Sequence, residues 1–304
     1  MPRPRAPTPR AASPRPTRSE RSLTDTHPHD EPATAPGGGL VRLRLSIAYD
    51  GTAFSGWARQ PHRRTVQGEL ESGLATVLRC PVDLTVAGRT DAGVHATGQV
   101  AHADVPRAAW EEQRERLVRR LRGVLPADLA VPGVTEAPPG FDARFGALAR
   151  HYAYRLTDAD SGPPPLRRVD TVGWPRRLDA AAMDRAADLL LGEHDFAAFC
   201  RRREGATTVR TLLALGVARE GALVTVSASA DAFCHSMVRS LVGALLAVGE
   251  GRRAPDWPAA LLTRRERAGE VLVAPPGGLT LLRVDYPPDA DLAARAQVTR
   301  ARRT

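Results

Sequence analysis

A chain of 304 residues, 42 % hydrophobic and 25 % charged, carries enough apolar material for one large or two ordinary globular domains. Every basic residue is arginine, which removes Schiff-base and P-loop lysine chemistry; no run approaches the roughly 18 apolar residues of a membrane span, and no CxxC, HExxH or Cys/His cluster has zinc spacing. The net charge of +9 favours a polyanionic partner, above all nucleic acid.

Residues 1–39 are rich in Pro, Arg, Ser and Thr, end in Pro36-Gly37-Gly38-Gly39, and show no apolar period. They read as a disordered tail. The tail has no hydrophobic core of a secretory signal, so a cytoplasmic protein is expected. Its arginines outnumber its acids by two, so most of the basic excess falls on the remainder. Order begins at Leu40, where Leu43, Leu45, Ile47 and Tyr49 alternate with Arg42, Arg44, Ser46 and Ala48 as on a half-buried strand. Asp50-Gly51 ends that strand in a turn. Val66, Leu70, Leu74, Val77 and Leu78 have helical spacing and predict an amphipathic helix over 65–79. A strand follows at 82–87, then a glycine-punctuated loop from Gly88 to Gly98, then a strand through Val100 and His102. Residues 107–125 predict one charged helix ending at Pro126.

The second half repeats this grammar. Tyr152, Tyr154 and Leu156 alternate as a strand, a Pro-rich connection leads to a helix near 179–191, and a strand at 222–229 precedes a helix over 236–248. A strand at 279–285 closes the series, and 289–304 reads as a polar tail. Strands and helices interleave in two similar blocks, 41–140 and 145–288, which predicts an α+β fold of two domains with mixed or antiparallel sheets. A doubly wound nucleotide fold is disfavoured because no Gly-rich phosphate loop follows the first strand. Cys80, Cys200 and Cys234 are far apart and odd in number, and read as buried small hydrophobes in a reducing compartment.

Chemistry concentrates in Ala87-Gly88-Arg89-Thr90-Asp91-Ala92-Gly93-Val94-His95, where three glycines let backbone approach a ligand around a single carboxylate. The pattern alone leaves two readings open: a tight turn in which Asp91 caps backbone amides, or a presented carboxylate. A free aspartate is ionised at neutral pH, which suits a nucleophile rather than a general acid.

Gly88-Arg89-Thr90-Asp91-Ala92-Gly93-Val94-His95 resembles the catalytic motif of the tRNA pseudouridine synthase A family. Tyr49-Asp50-Gly51, Phe54-Ser55-Gly56-Trp57 and Val66-Gln67-Gly68-Glu69-Leu70 resemble its N-terminal pattern. Phe141 with Ala143-Arg144-Phe145, then Tyr152-Ala153-Tyr154, fit its central segment. Leu191 to Phe196, Phe233 with His235, Met237-Val238-Arg239 and Asp285-Tyr286-Pro287 fit its second half. The resemblance implies a pseudouridine synthase fold of two ferredoxin-like-related α/β sandwiches. The activity it implies is uridine-to-pseudouridine isomerisation at positions 38, 39 and 40 of tRNA. It implies Asp91 as nucleophile, Arg89 as the residue that enters the RNA stack and pairs with that carboxylate, and Tyr152 as the ring stacking on the flipped uracil. It further implies tRNA and a second copy of the chain as partners, with no cofactor and no metal, because an isomerisation consumes no external reagent. Tyr154 has the same facing as Tyr152, and only the motif register separates them.

Arg144, Arg210 and Arg239 are candidate RNA contacts; Arg201-Arg202-Arg203 reads first as a solvated basic turn and second as an RNA-backbone patch. His95 reads as packing the loop, and His235 is left without a role. Two departures from the family pattern stand out. Arg122 precedes Leu125-Pro126 where Asn is frequent, and Ser236 replaces a second His after His235. Both bear on local RNA contacts and are expected to leave the catalytic motif untouched.

Overall fold

The computed structural model describes residues 39–201 and 207–301. The predicted tail, apart from Gly39, and Arg202-Arg203 lie outside the described residues. Strand β1 (Leu40–Tyr49) has the predicted alternation, with Val41, Leu43, Leu45, Ile47 and Tyr49 all buried. Its other face is partly covered, with Ser46 exposed: the Arg44 guanidinium lies 5.1 and 5.0 Å from the Phe141 and Tyr286 ring centroids, and Arg42 forms a bidentate pair with Asp104.

Helix α1 (Val66–Leu78) opens on Thr65, whose hydroxyl accepts the Gly68 amide, and buries Val66, Leu70, Leu74, Val77 and Leu78. Strand β2 is only Thr85–Val86, because its predicted beginning, 82–84, is held instead by side chains: buried Glu71 accepts the Leu84 amide. Strand β3 (His95–Pro106) then runs antiparallel to β1. The single helix expected over 107–125 is two, α2 (Arg107–Gln113) and α3 (Leu117–Val124). Arg116 leaves helical geometry between them (φ −120°, ψ −8°), and Arg120 reaches back to the buried Gln113 side chain. Strand β4 (Leu129–Glu136) completes the first half by pairing with β1.

In the second half β5 (Ala149–Thr157), β6 (Val172–Gly173), α4 (Ala180–Asp188), β7 (Gly192–Asp195), β8 (Val209–Glu220) and β9 (Leu223–Ala230) follow in order. Then come α5 (Met237–Gly249), α6 (Trp257–Ala260), β10 (Leu279–Asp285) and α7 (Leu292–Ala301). Where the sequence reads as a polar tail, α7 instead buries Leu292 and Ala296 and ties back through Arg300 to Asp142 at 2.7 Å.

The two halves share one sheet in the order β4-β1-β3-β10-β5-β9-β8-β7, with β2 on β3 and β6 on β5. Pairing is antiparallel except at β10–β3 and β5–β6. The molecule is thus α+β with a large, mostly antiparallel sheet. The parallel seam between β10 and β3 joins the halves and lies beside the start of β3, where the glycine-rich loop enters the sheet. Helix α5 packs against α4 and the 272–274 stretch, so 12 of its 13 residues are buried rather than one face alone. Each Leu or Val so buried contributes roughly 1.5–3 kcal/mol of hydrophobic stabilisation. Among the described residues no helix is long and apolar enough to cross a membrane.

One ion pair in the second half is fully desolvated on its acidic side. The Asp158 side chain is 0 % exposed and accepts both arms of Arg219, at 3.0 and 2.7 Å, together with the Leu178 amide. Those donors, Arg219 first, hold its carboxyl down to about 2 against the opposing effect of burial. The folded-state value is depressed, so the stabilisation is complete above the ordinary carboxylate range. It is lost as pH falls through about 4 towards 2, an effect of about 2 kcal/mol. Arg219→Leu leaves the buried carboxylate only the Leu178 amide and the more distant Arg177, 3.6 Å away, and is expected to cost about 3 kcal/mol at pH 7. Urea unfolding of both proteins from pH 7 to pH 2.5 reads out the loss and its pH dependence.

Candidate active site

The loop 87–94 is held chiefly by residues that lie well upstream in the sequence, Tyr49, Phe54 and Trp57. The Trp57 amide donates to Thr90 O at 3.1 Å and the Gly93 amide to Phe54 O at 3.3 Å. Buried Tyr49 shares a 2.8 Å hydrogen bond with the Thr90 hydroxyl, and burial pushes its phenol up to about 12. The Gln99 amide group, 0 % exposed, donates to Gly88 O at 2.9 Å and so closes the other end of the loop. Two glycines are required by space and by backbone. A Cβ on Gly51 would stand 2.0 Å from Val94 O, and Gly93 has φ +78°, a left-handed conformation that costs any residue with a Cβ. The Tyr49-Asp50-Gly51 and Phe54-Ser55-Gly56-Trp57 motifs are therefore the floor of the loop.

His95 pins the far side. The Gly51 amide donates to its Nδ1 at 3.0 Å, and Nε2 lies 3.1 Å from Gly277 O, so a neutral ring protonated on Nε2 satisfies both. The 3.1 Å approach of Asp50 to the same Nδ1 is then no ion pair, because that nitrogen is already an acceptor. This is the packing role read from the sequence.

At the apex of this braced loop the Asp91 side chain is 25 % exposed and meets side chains from the N-terminal end of α5. Arg239 Nη1 lies 3.3 Å from Oδ2, Ser236 Oγ donates to the same oxygen at 3.2 Å, and His235 Nε2 lies 3.3 Å from Oδ1. Arg239 is itself oriented by its Nε–H donating to Ala274 O at 2.7 Å. A helix N-terminus also favours a negative charge placed against it. A carboxylate gripped by a guanidinium and a hydroxyl, with part of its surface open, is arranged to carry charge beside a bound ligand.

Tyr152 stands on β5 between Leu281 of β10 and Ala228 of β9. Its ring packs edge-on to Phe233, centroids 5.3 Å apart, making an aromatic wall. Burial chiefly raises its phenol; neighbouring Tyr49 and the Asp91 charge add to the rise, against the lowering effect of Arg150. Tyr154 is 0 % exposed and spends its hydroxyl on Pro275 O at 2.9 Å, a core strut. Arg89 is exposed two residues before Asp91. Arg144 is also exposed, its guanidinium 4.9 Å from the Phe145 ring centroid. Arg210 lies at the start of β8 with its guanidinium partly buried, which lowers its proton affinity. Of the three arginines read as RNA contacts, Arg239 alone is placed on the Asp91 carboxylate by a direct contact.

Arg150 carried no signal in the sequence beyond a basic residue on a strand. It is 5 % exposed, and its guanidinium donates to three carbonyls: Asp231 O at 2.5 Å, Ala87 O at 2.7 Å and Arg144 O at 2.9 Å. It thereby ties the root of the Asp91 loop to the 231–236 segment that carries His235 and Ser236. That segment is fastened again by the Arg201 amide donating to His235 O and by a disulfide between Cys200 and Cys234, whose Cα atoms are 5.7 Å apart. The expectation of free thiols is corrected for this pair, which a separation of 34 residues conceals; Cys80 remains free. The expectation that the Ser236 departure leaves the catalytic motif untouched is also corrected, since its hydroxyl touches Asp91.

A family model described as tRNA pseudouridine synthase matches residues 45–146 and 186–287. The chain belongs to the tRNA pseudouridine synthase family. Relatives named tRNA pseudouridine synthase A agree with this placement over most of their length. The protein from Frankia casuarinae is 64 % identical over 266 residues, covering 86 % of this chain and 96 % of that one. That from Streptomyces griseus subsp. griseus is 56 % identical over 270 residues, covering 88 % and 95 %. That from Mycobacterium leprae is 54 % identical over 271 residues, covering 86 % and 94 %. The first matched segment carries the Asp91 loop and the second carries His235, Ser236 and Arg239, so the two segments of the pseudouridine synthase match meet at the carboxylate.

Proposed function

We propose that this chain isomerises uridine to pseudouridine at positions 38, 39 and 40 in the anticodon stem and loop of tRNA, with Asp91 meeting C1′ of an everted nucleotide. The observation that carries this reading is the Asp91 carboxylate, part exposed on a loop braced from both sides, with Arg239 and Ser236 on one oxygen and the Tyr152–Phe233 wall close by. In the reaction the C1′–N1 bond breaks as the carboxylate bonds to, or neutralises, the electron-poor sugar carbon. The freed uracil turns, C5 bonds to C1′ as any bond from C1′ to the carboxylate breaks and returns Asp91 to its free form, the C5 proton leaves, and N1 ends protonated. Atoms balance without an added reagent.

A uracil inside a stem is out of reach until it is extruded, which costs a few kcal/mol. Arg89, exposed beside the loop apex, is the residue to occupy the vacated stack, because a planar guanidinium stacks where an ammonium does not. Tyr152 supplies a face for the flipped base. Arg144 and Arg210 contribute phosphate contacts, and a second copy of the chain helps to frame the tRNA cleft.

The decisive test uses tRNA transcripts carrying tritium at uridine C5. Wild-type protein is expected to release tritium from transcripts with uridine at 38, 39 or 40 and none from transcripts lacking all three; release independent of those positions would overturn the assignment of target. Arg89→Ala is expected to lower kcat by about a hundredfold while tRNA affinity stays within roughly tenfold, about 1.4 kcal/mol. Equal losses in both would assign Arg89 to binding alone. Light scattering of the protein with and without tRNA checks the two-copy assembly.

A further inference from the structure

We propose that Ser236 is a positioning residue for Asp91, its hydroxyl fixing the plane of the carboxylate for attack; the inference rests on the reading of Asp91 given above. Serine is among the preferred residues ahead of a helix because, from an extended backbone, its oxygen accepts an amide of the first turn. Ser236 occupies that place before α5 and does something else. Its backbone is left-handed, φ 63° and ψ 8°, and its side chain caps no amide. The hydroxyl instead donates to Asp91 Oδ2 at 3.2 Å.

A left-handed backbone is unfavourable for a residue with a Cβ, and an unused cap forfeits a helix-end hydrogen bond. Both local preferences are overridden at the one serine that touches the carboxylate. Such an outlier points to function when its surroundings enforce it. Here they do. The Ser240 amide still donates to Ser236 O at 2.9 Å, and the Met237 amide to Cys234 O at 3.0 Å, so the helix grips the residue from behind. Ahead of it the Cys200–Cys234 disulfide and the Arg201–His235 backbone bond hold the chain.

The benefit lies in the torsion of the aspartate. The final χ angle of Asp is broad and two-fold, so one partner leaves the carboxylate plane poorly defined. Arg239 and Ser236 approach the same oxygen from different positions on one rigid helix end, at 3.3 and 3.2 Å, which fixes that plane and leaves Oδ1 towards His235.

Three variants of the full chain separate the hydroxyl from the backbone. Ser236→Gly accepts the left-handed backbone without strain but has no hydroxyl; Ser236→Ala removes the hydroxyl and keeps the Cβ; Ser236→Asn tolerates the backbone and returns a donor. Single-turnover rates on tRNA are expected to fall about tenfold or more in the Gly and Ala variants alike, the usual weight of a hydrogen bond to a charged group. The Asn variant is expected within about threefold of wild type, and tRNA affinity of all three within about twofold. Ser236→Gly is expected to melt no lower than wild type, as a merely structural serine would not. A wild-type rate in Ser236→Gly, a loss confined to Ser236→Ala, a matching loss of affinity, or no recovery in Ser236→Asn would each overturn the proposal. Asp91→Asn, assayed in parallel, keeps the two claims apart. If it is inactive while Ser236→Gly turns over normally, only the serine proposal falls; if it turns over, the underlying assignment of Asp91 falls.

Discussion

Asp91→Asn is expected to reduce tritium release from C5-labelled tRNA by at least about a thousandfold, on the scale seen when an enzyme loses its nucleophile. The amide is nearly the size of the carboxylate, and the loop that presents it is held by Tyr49, Trp57, Phe54 and Gln99 without the help of this side chain. The fold therefore persists and thermal melting should be close to that of wild type. What disappears is the negative charge that bonds to or neutralises C1′. Binding should move the other way. Removing a carboxylate from a surface that faces phosphates lessens repulsion, so tRNA affinity is expected to hold or strengthen, with a steeper fall on added salt. A filter-binding isotherm beside the tritium assay reads both effects. Loss of affinity in step with loss of turnover would show that Asp91 organises the RNA surface rather than the chemistry.

The largest effect on stability is expected from Arg150→Met. The thioether fits the apolar stem of the arginine but offers no donor to the carbonyls of Ala87, Arg144 and Asp231. Hydrogen bonds from a charged donor are worth about 1.5–3 kcal/mol each. Allowing for the desolvation that already lowers the proton affinity of this buried guanidinium, a loss of about 4 kcal/mol is expected. Denaturant unfolding measures that loss. Turnover should suffer as well, even where the variant is fully folded, because Arg150 joins the root of the Asp91 loop to the segment bearing His235 and Ser236. Arg150→Lys is expected to recover only part of both, since an ammonium cannot span three carbonyls in the fixed fork of a guanidinium. Equal stability of the Lys and wild-type proteins would reduce Arg150 to a simple buried charge.

These two residues also mark how far the sequence could be read. The alternation of β1, the helical spacings of α1 and α5, and the short run of β10 were legible because each is a local period written in neighbouring residues. The Asp91 loop was legible as a motif, its glycines answering to constraints that act within the loop and its floor. Strands β4 and β8 left no such trace. Leu129–Glu136 contains Pro132 and Gly133, which argue against a strand except at an edge, and β4 is the edge of the sheet. In Val209–Glu220 buried and exposed positions do not alternate cleanly, partly because the register slips between Leu212 and Ala214.

By itself the sequence determined where hydrophobic faces recur, where the backbone must turn, and which short stretch carries a carboxylate among glycines. Tertiary structure alone decided what that carboxylate meets. Arg239 and Ser236 reach Asp91 across 148 and 145 residues, and Arg150 bonds to carbonyls up to 81 positions away. Periodicity reports the environment a residue requires, core or solvent, strand or helix. It cannot report which distant residue will supply that environment, because the pairing follows from sheet order and packing of the whole chain.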